Sequence, residues 1–164
     1  MGSVDITRLN ILVVEDNVHF RTLIRSILQA LGMSKVEEAR DGIEALEILG
    51  NPVNPKTVDL VILDWKMEGM DGVECVREIR KLDCESRSVP IIMVTGYTET
   101  SLQKKARDAG VNDFLGKPIS PQSLVGRITS VMDTSYTMVE GGTYYGPERR
   151  ASDIPIKGPG RRKE

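Results

Sequence analysis

Aromatic side chains make up only 4% of the 164 residues, so a core must be built from Val, Ile, Leu, Met and Ala. No apolar run approaches the ~20 residues a membrane span requires, and no charged segment with a following hydrophobic stretch opens the chain. The expectation is a soluble, cytoplasmic protein. Cysteine is nearly absent: Cys75 and Cys84 are the only two. If both lie on or near one helix, nine residues at about 1.5 Å each hold them roughly 13 Å apart, beyond disulfide reach. They lack metal-ligand spacing and a nearby histidine, so both read as reduced thiols. The single histidine, His19, has no second imidazole to share a metal or a phosphoryl relay, and reads as a solvent-facing residue. Charge of one sign is not in excess either. The formal net charge is -2, which argues against a dedicated nucleic-acid surface and against a disordered acidic chain.

Strand-length apolar runs recur: "LNILVV" (9–14), "VDLVIL" (58–63) and "VPIIMV" (89–94). They are continuous rather than alternating, as strands covered on both faces must be. "KVEEA" (35–39) and "DFLG" (113–116) are shorter and predict edge strands. Between them apolar residues recur at three- and four-residue spacing over 17–31, 41–49, 71–82, 98–109 and 120–132. Asn17 and Ser120 stand at cap positions, and Gly32 at a stop. Five strands alternating with five helices predict right-handed βαβ units, an α/β fold with a parallel sheet covered on both faces. "NPVNPK" (51–56) reads as a loop because its prolines block helix and central strand alike. Helical periodicity ends near Asp133. Residues 133–164, rich in Gly, Pro and Arg, read as a flexible tail. The charge asymmetry sits there: 148–164 hold six basic and three acidic residues, whereas 1–132 hold 16 and 19. Without a recognition helix, this basic end reads as a flexible or partner-binding peptide rather than a nucleic-acid reader. "RRAS" (149–152) fits a basophilic kinase site, a reading disfavoured here.

In a parallel α/β sheet the functional residues gather at the carboxyl ends of the strands. The first strand ends in Glu15-Asp16, the third in Asp64, the fourth in Thr95-Gly96, and the fifth leads into Lys117-Pro118. Three carboxylates crowded together repel one another unless a cation is present. An all-oxygen site of this kind suits Mg²⁺. With Lys117 as a point charge and Thr95 as a hydroxyl donor, the set can hold a phosphoryl group, and Asp64 can act as the nucleophile.

The segments "ILVVEDN", "VILDWKMEGMDG", "IIMVTG" and "DFLGKPIS" resemble the signatures of the response regulator receiver domain of two-component signalling, with its CheY-like, flavodoxin-like fold. The resemblance spans residues 8–132, after an extension at 1–7, and implies a doubly wound five-stranded sheet of order 2-1-3-4-5. It further implies a stand-alone, single-domain regulator whose Asp64 accepts phosphate from a histidine kinase or histidine phosphotransfer protein. Asp16, Asp64 and the backbone carbonyl of Lys66 would then hold Mg²⁺, with Glu15 helping through water. Thr95 and Lys117 would hold phosphoryl oxygens, Lys117-Pro118 would be cis, and output would run through an α4–β5–α5 face (98–132). Phe114 stands at the aromatic switch position, where lack of a phenol leaves ring packing as the means of switching. Glu68 replaces the family's usual proline, while Gly69 and Gly72 keep the turn chemistry. Trp65, next to Asp64, reads as a partly exposed rim residue.

Two other classes fit less well. A haloacid-dehalogenase-like phosphohydrolase would also use Asp64 as nucleophile but needs a second aspartate two residues on, where this chain has Lys66. A flavodoxin-like nucleotide binder would need a Gly/Ser/Thr-rich first loop, and Glu15-Asp16 would repel its phosphate.

Overall fold

A computed structural model describes residues 4–51, 58–96, 100–134, 137–142 and 144–148. The loop expected at 51–56 falls almost wholly outside them, as do "RRAS" and the rest of 149–164. Strands β1 (Ile11–Val14), β2 (Val36–Ala39), β3 (Leu60–Asp64), β4 (Ile91–Thr95) and β5 (Asp113–Gly116) form one parallel sheet of order β2-β1-β3-β4-β5. Helices α1 (Val18–Ala30), α2 (Gly42–Leu49), α3 (Gly72–Arg80), α4 (Thr100–Ala109) and α5 (Pro121–Asp133) alternate with them.

Side chains alternate across each strand and divide the core in two. Leu12, Val14, Val61, Leu63, Ile91 and Met93 pack with residues of α2, α3 and α4. Ile11, Val13, Leu60, Ile62, Ile92 and Val94 pack with α1 and α5. The three central strands are buried at every position, which is why they read as unbroken apolar runs, whereas the edge strands β2 and β5 are partly exposed. Asn17, Asp41, Asp71 and Ser120 each accept a backbone N–H at the start of a helix, and Asp71–Glu74 closes a full capping box. Cys75 is buried and Cys84 exposed, and both are free. Burial pushes the Cys75 thiol up to about 12.

The expected flexible tail does not begin at 133. After α5 the chain forms an antiparallel hairpin, β6 (Met138–Gly141) and β7 (Tyr144–Pro147), whose turn opens on Gly142 at φ 57°. An isolated hairpin is marginal in water. This one is held against the domain. The Tyr145 ring lies under the Arg87 guanidinium at 3.7 Å, its hydroxyl is 2.7 Å from Ser88 Oγ, and Gly146 abuts Gly110 so closely that a Cβ on it would stand 2.9 Å from the Gly110 Cα. At the other end, part of the expected 1–7 extension is also built in: Ile6–Arg8 forms a 3-10 turn with Ile6 packed on the α1/α5 side of the core.

Beneath the hairpin lies Arg80, 3% exposed. Its Nε donates to the Gly110 carbonyl, Nη1 to the Arg87 and Val89 carbonyls, and Nη2 to the Gly110 carbonyl and Asn112 Oδ1, at 2.7–3.1 Å. All five N–H groups are thereby used. No carboxylate is among the acceptors, and burial lowers the guanidinium to about 10, leaving it charged at neutral pH.

Candidate functional site

Parallel register assembles the site at the carboxyl edge of the sheet. Val14 pairs with Leu63, so Glu15 and Asp64 emerge side by side, while Thr95 ends the neighbouring β4, whose Val94 pairs with Asp64. A carboxylate oxygen from each of Glu15, Asp16 and Asp64 lies within 4.8 Å of the others. Asp64 is 4% exposed and Glu15 2%, whereas Asp16 faces solvent. The apolar run of β3 ends on a buried carboxylate because the strand delivers it into this cluster.

Each member is held from its own side. Glu15 Oε2 accepts the Asn17 N–H at 2.9 Å, and Asp16 Oδ2 accepts the Glu68 N–H at 3.0 Å, which ties the β3–α3 loop to the β1–α1 loop. Gly69 takes φ 78° in that loop. Gly72 is pressed against the strand end. Its N–H donates to the Trp65 carbonyl at 2.8 Å, and a Cβ there would meet the Asp64 carbonyl oxygen at 2.6 Å and the Trp65 Cα at 2.8 Å. Lys117 follows the β5 end, with its N–H on the Thr95 carbonyl and a cis bond to Pro118. Its Nζ stands 3.1 Å from Asp64 Oδ1 and 4.6 Å above the Phe20 ring.

Burial dominates the electrostatics. It raises the Glu15 carboxyl to about 8, the Asp64 charge adds to the effect, and the Asn17 N–H opposes it. Glu15 Oε1 is buried without a hydrogen-bond partner, and Asp64 Oδ1, although at ion-pair distance from Lys117, receives no aligned hydrogen bond. Buried oxygens left in this state, all hard donors, fit a divalent cation of the Mg²⁺ type.

Of the residues picked from sequence, Glu15, Asp16, Asp64 and Lys117 are brought together, and Thr95 is buried at the adjoining strand end. Lys66 is exposed in the loop after β3, and Trp65 is half-buried against the α2/α3/α4 core. His19 is exposed, as its isolation in the sequence implied. Phe114 is half-buried on the α4 side, with the Arg107 guanidinium 5.1 Å from its ring centre. Two contributors lay hidden. Phe20 reads in sequence as a core residue of α1, yet also lies under Lys117. Arg21 donates to the Glu15 carbonyl and to Glu38, which Arg25 also contacts. Arg21 and then Arg25 hold the Glu38 carboxyl below its usual range against the opposing pull of burial. The basic residues four and eight positions past Asn17 were the only sequence trace of this support.

The response regulator receiver domain model matches residues 11–129. The chemotaxis protein CheY1 of Helicobacter pylori is 35% identical over 127 residues, 77% of this chain and 99% of that protein. The cyclic di-GMP phosphodiesterase response regulator RpfG of Xanthomonas campestris is 36% identical over 125 residues, 76% of this chain but only 32% of its own length. The chain thus spans about a third of that relative. Among solved structures, Vibrio cholerae CheY4 superposes with a TM-score of 0.68 at 29% identity, covering 75% of this chain and 98% of that one. The receiver domain of the sensor histidine kinase PA1611 from Pseudomonas aeruginosa, with magnesium coordinated in its active-site cleft, gives 0.66 at 31% identity, covering 76% and 97%.

Proposed function

Because this chain belongs to the response regulator receiver domain family of two-component signalling, we propose that it is a phosphorylation-controlled binding module in which Asp64 accepts a phosphoryl group from a histidine kinase or histidine phosphotransfer protein. The observation that carries the assignment is the buried Asp64 carboxylate with Lys117 Nζ at 3.1 Å and the Glu15 and Asp16 oxygens within 4.8 Å. Glu15, Asp16, Asp64 and the Lys66 carbonyl are the groups to hold Mg²⁺. Bound there, the ion would supply charge compensation for the carboxylates and for phosphoryl oxygens.

The protein's own residues do the rest. An Asp64 oxygen attacks phosphorus as the donor's N–P bond breaks, the β3 strand end and Gly72 fixing its direction. Lys117, already at Asp64, neutralises charge on the incoming group, and the Thr95 hydroxyl donates to a second phosphoryl oxygen. Near-complete burial of Asp64 limits water at the acceptor oxygen.

Thr95 lies on β4, which pairs directly with the Phe114 strand, and the Phe114 ring is covered by Arg107 of α4. Movement of Thr95 toward the phosphoryl group would repack this α4–β5–α5 face and change what it binds, a shift between two preexisting states. No helix among the described residues is long and apolar enough to cross a membrane. Exposure to acetyl phosphate and Mg²⁺ with intact-mass detection tests the proposal: one phosphoryl group is expected on the wild type and none on Asp64→Asn. A phosphorylated Asp64→Asn protein would refute it.

A further inference from the structure

The amino-end edge of the sheet, away from the Asp64 cluster, carries a second concavity. A cavity of about 540 Å³ opens between α3, the C-terminal end of α4 and the β6–β7 hairpin. Arg77 and Arg80 of α3 line it together with Lys81, which caps that helix, and Arg87, while Asp108 and Glu140 are the acidic residues of its wall among the described residues. Four cations face two carboxylates; Asp108 is already paired with Lys104 at 3.1 Å and Lys81 with Glu78 at 3.4 Å, which leaves the three arginines facing Glu140. Arg80 donates only to neutral acceptors, so its positive charge lies beneath the cavity unneutralised. Arg87 is fixed by stacking on Tyr145, and its Nε is buried without an acceptor. Arg77 is exposed and has no ion-pair partner among the described residues.

Two half-buried tyrosines complete the wall. The Tyr144 hydroxyl donates to the Pro147 carbonyl at 2.6 Å, and the Tyr145 hydroxyl is engaged with Ser88. Rings rather than hydroxyls are therefore what they offer. Guanidinium forks match phosphate oxygens, aromatic walls suit a flat organic group, and the volume lies within the few hundred to about 1,000 Å³ typical of small-molecule sites. We propose that this cavity binds a small organic phosphate of nucleotide size, with Arg77 and Arg87 on the phosphate and the tyrosine wall against the organic part. Because the hairpin forms one wall, occupancy would fasten the C-terminal segment to α3 and α4.

The test is calorimetric titration of the full chain with ADP and, separately, with inorganic pyrophosphate, in EDTA so that the Asp64 cluster has no metal with which to recruit phosphate. Saturable 1:1 binding of ADP with a dissociation constant below about 1 mM is expected, with pyrophosphate at least about tenfold weaker. Arg77→Gln, at an exposed position, should keep the fold and weaken ADP roughly tenfold, the loss expected for one charged hydrogen bond. Amide shifts on ADP addition should gather at 77–81, 87 and 140–145. The proposal is overturned if ADP does not bind saturably up to about 5 mM, or if neither Arg77→Gln nor Arg87→Gln changes its affinity. It is equally overturned if the shifts gather at Asp64 and Lys117, and pyrophosphate binding as tightly as ADP would remove the nucleotide-size assignment.

Discussion

Lys117 reaches Asp64 at 3.1 Å from across the sheet edge, and the same ammonium rests 4.6 Å above the Phe20 ring. Anchored by an ion pair and a cation–π contact, it is placed before any phosphoryl group arrives. Lys117→Met keeps most of the stem and deletes the charge. Its rate of phosphorylation by acetyl phosphate should fall roughly 100-fold, the scale of removing one preorganised electrostatic group. A rate within about twofold of wild type would remove Lys117 from the mechanism.

Glu15 sets a pH dependence. Its carboxyl is raised to about 8 in the fold, against 4.5 for the unperturbed group. Between those values the folded state holds a proton that the unfolded chain has released, so metal-free stability falls as pH rises through this window and levels off above it. The loss between about pH 5 and 8 should be on the order of 3 kcal/mol. Urea unfolding in EDTA should show this slope for wild type and a flatter profile for Glu15→Gln. Mg²⁺ should flatten it too, because a cation offsets the ionised carboxylates.

Charge removal on the exposed side of the cluster should stabilise the metal-free protein. Asp16→Asn relieves repulsion with Asp64, and with Glu15 once that carboxyl ionises, while keeping an oxygen to accept the Glu68 N–H. Its melting temperature in EDTA should exceed that of wild type, by an amount equivalent to about 1 kcal/mol. Addition of ~10 mM Mg²⁺ should favour wild type over the variant by mass action. Asp64→Asn gains less, since it also gives up the ion pair with Lys117.

Two glycines should respond in opposite directions to alanine. Gly72→Ala drives a Cβ to 2.6 Å from the Asp64 carbonyl oxygen and 2.8 Å from the Trp65 Cα, so the strand end or the start of α3 must move. A cost of about 1–3 kcal/mol is expected, with changed Trp65 emission and slower phosphorylation. Gly126 is exposed within α5 and has nothing within 4 Å of its ideal Cβ, so Gly126→Ala should stabilise by about 0.5–1 kcal/mol. Chemical denaturation of both variants reads the contrast.

Arg80→Met removes a buried cation but strands the carbonyls of Arg87, Val89 and Gly110. Breaking such a network should cost about 3–5 kcal/mol. Exchange of amide hydrogens should rise at 138–147 before the central sheet opens, since the hairpin sits on the Gly110 loop that Arg80 holds.

The sheet was legible because β1, β3 and β4 are buried throughout, and such strands need unbroken apolar runs. Asp64 was legible for the same reason: a carboxylate ending a run of that kind has no packing purpose. The hairpin was not legible, because β6 and β7 do not bury a face of their own. What orders Tyr145 and Gly146 is Arg87, Ser88 and Gly110, some 35 to 60 residues earlier in the chain, and local composition carries no trace of such partners. Arg80 likewise looks like any basic residue in the last turn of a helix. Its burial depends on carbonyls that converge only after β4 and β5 have paired.

The contrast between the two cysteines provides a spectroscopic handle. Cys75 is sealed in the core with its thiol held protonated, while Cys84 is exposed just beyond α3, within a few residues of Arg80, Lys81 and Arg87. A maleimide dye added to the native protein should therefore attach once, at Cys84. The unmodified chain thus carries an optical reporter position at Cys84, whose thiol lies 3.6 Å from the Leu49 carbonyl at the end of α2, remote from the carboxylate cluster.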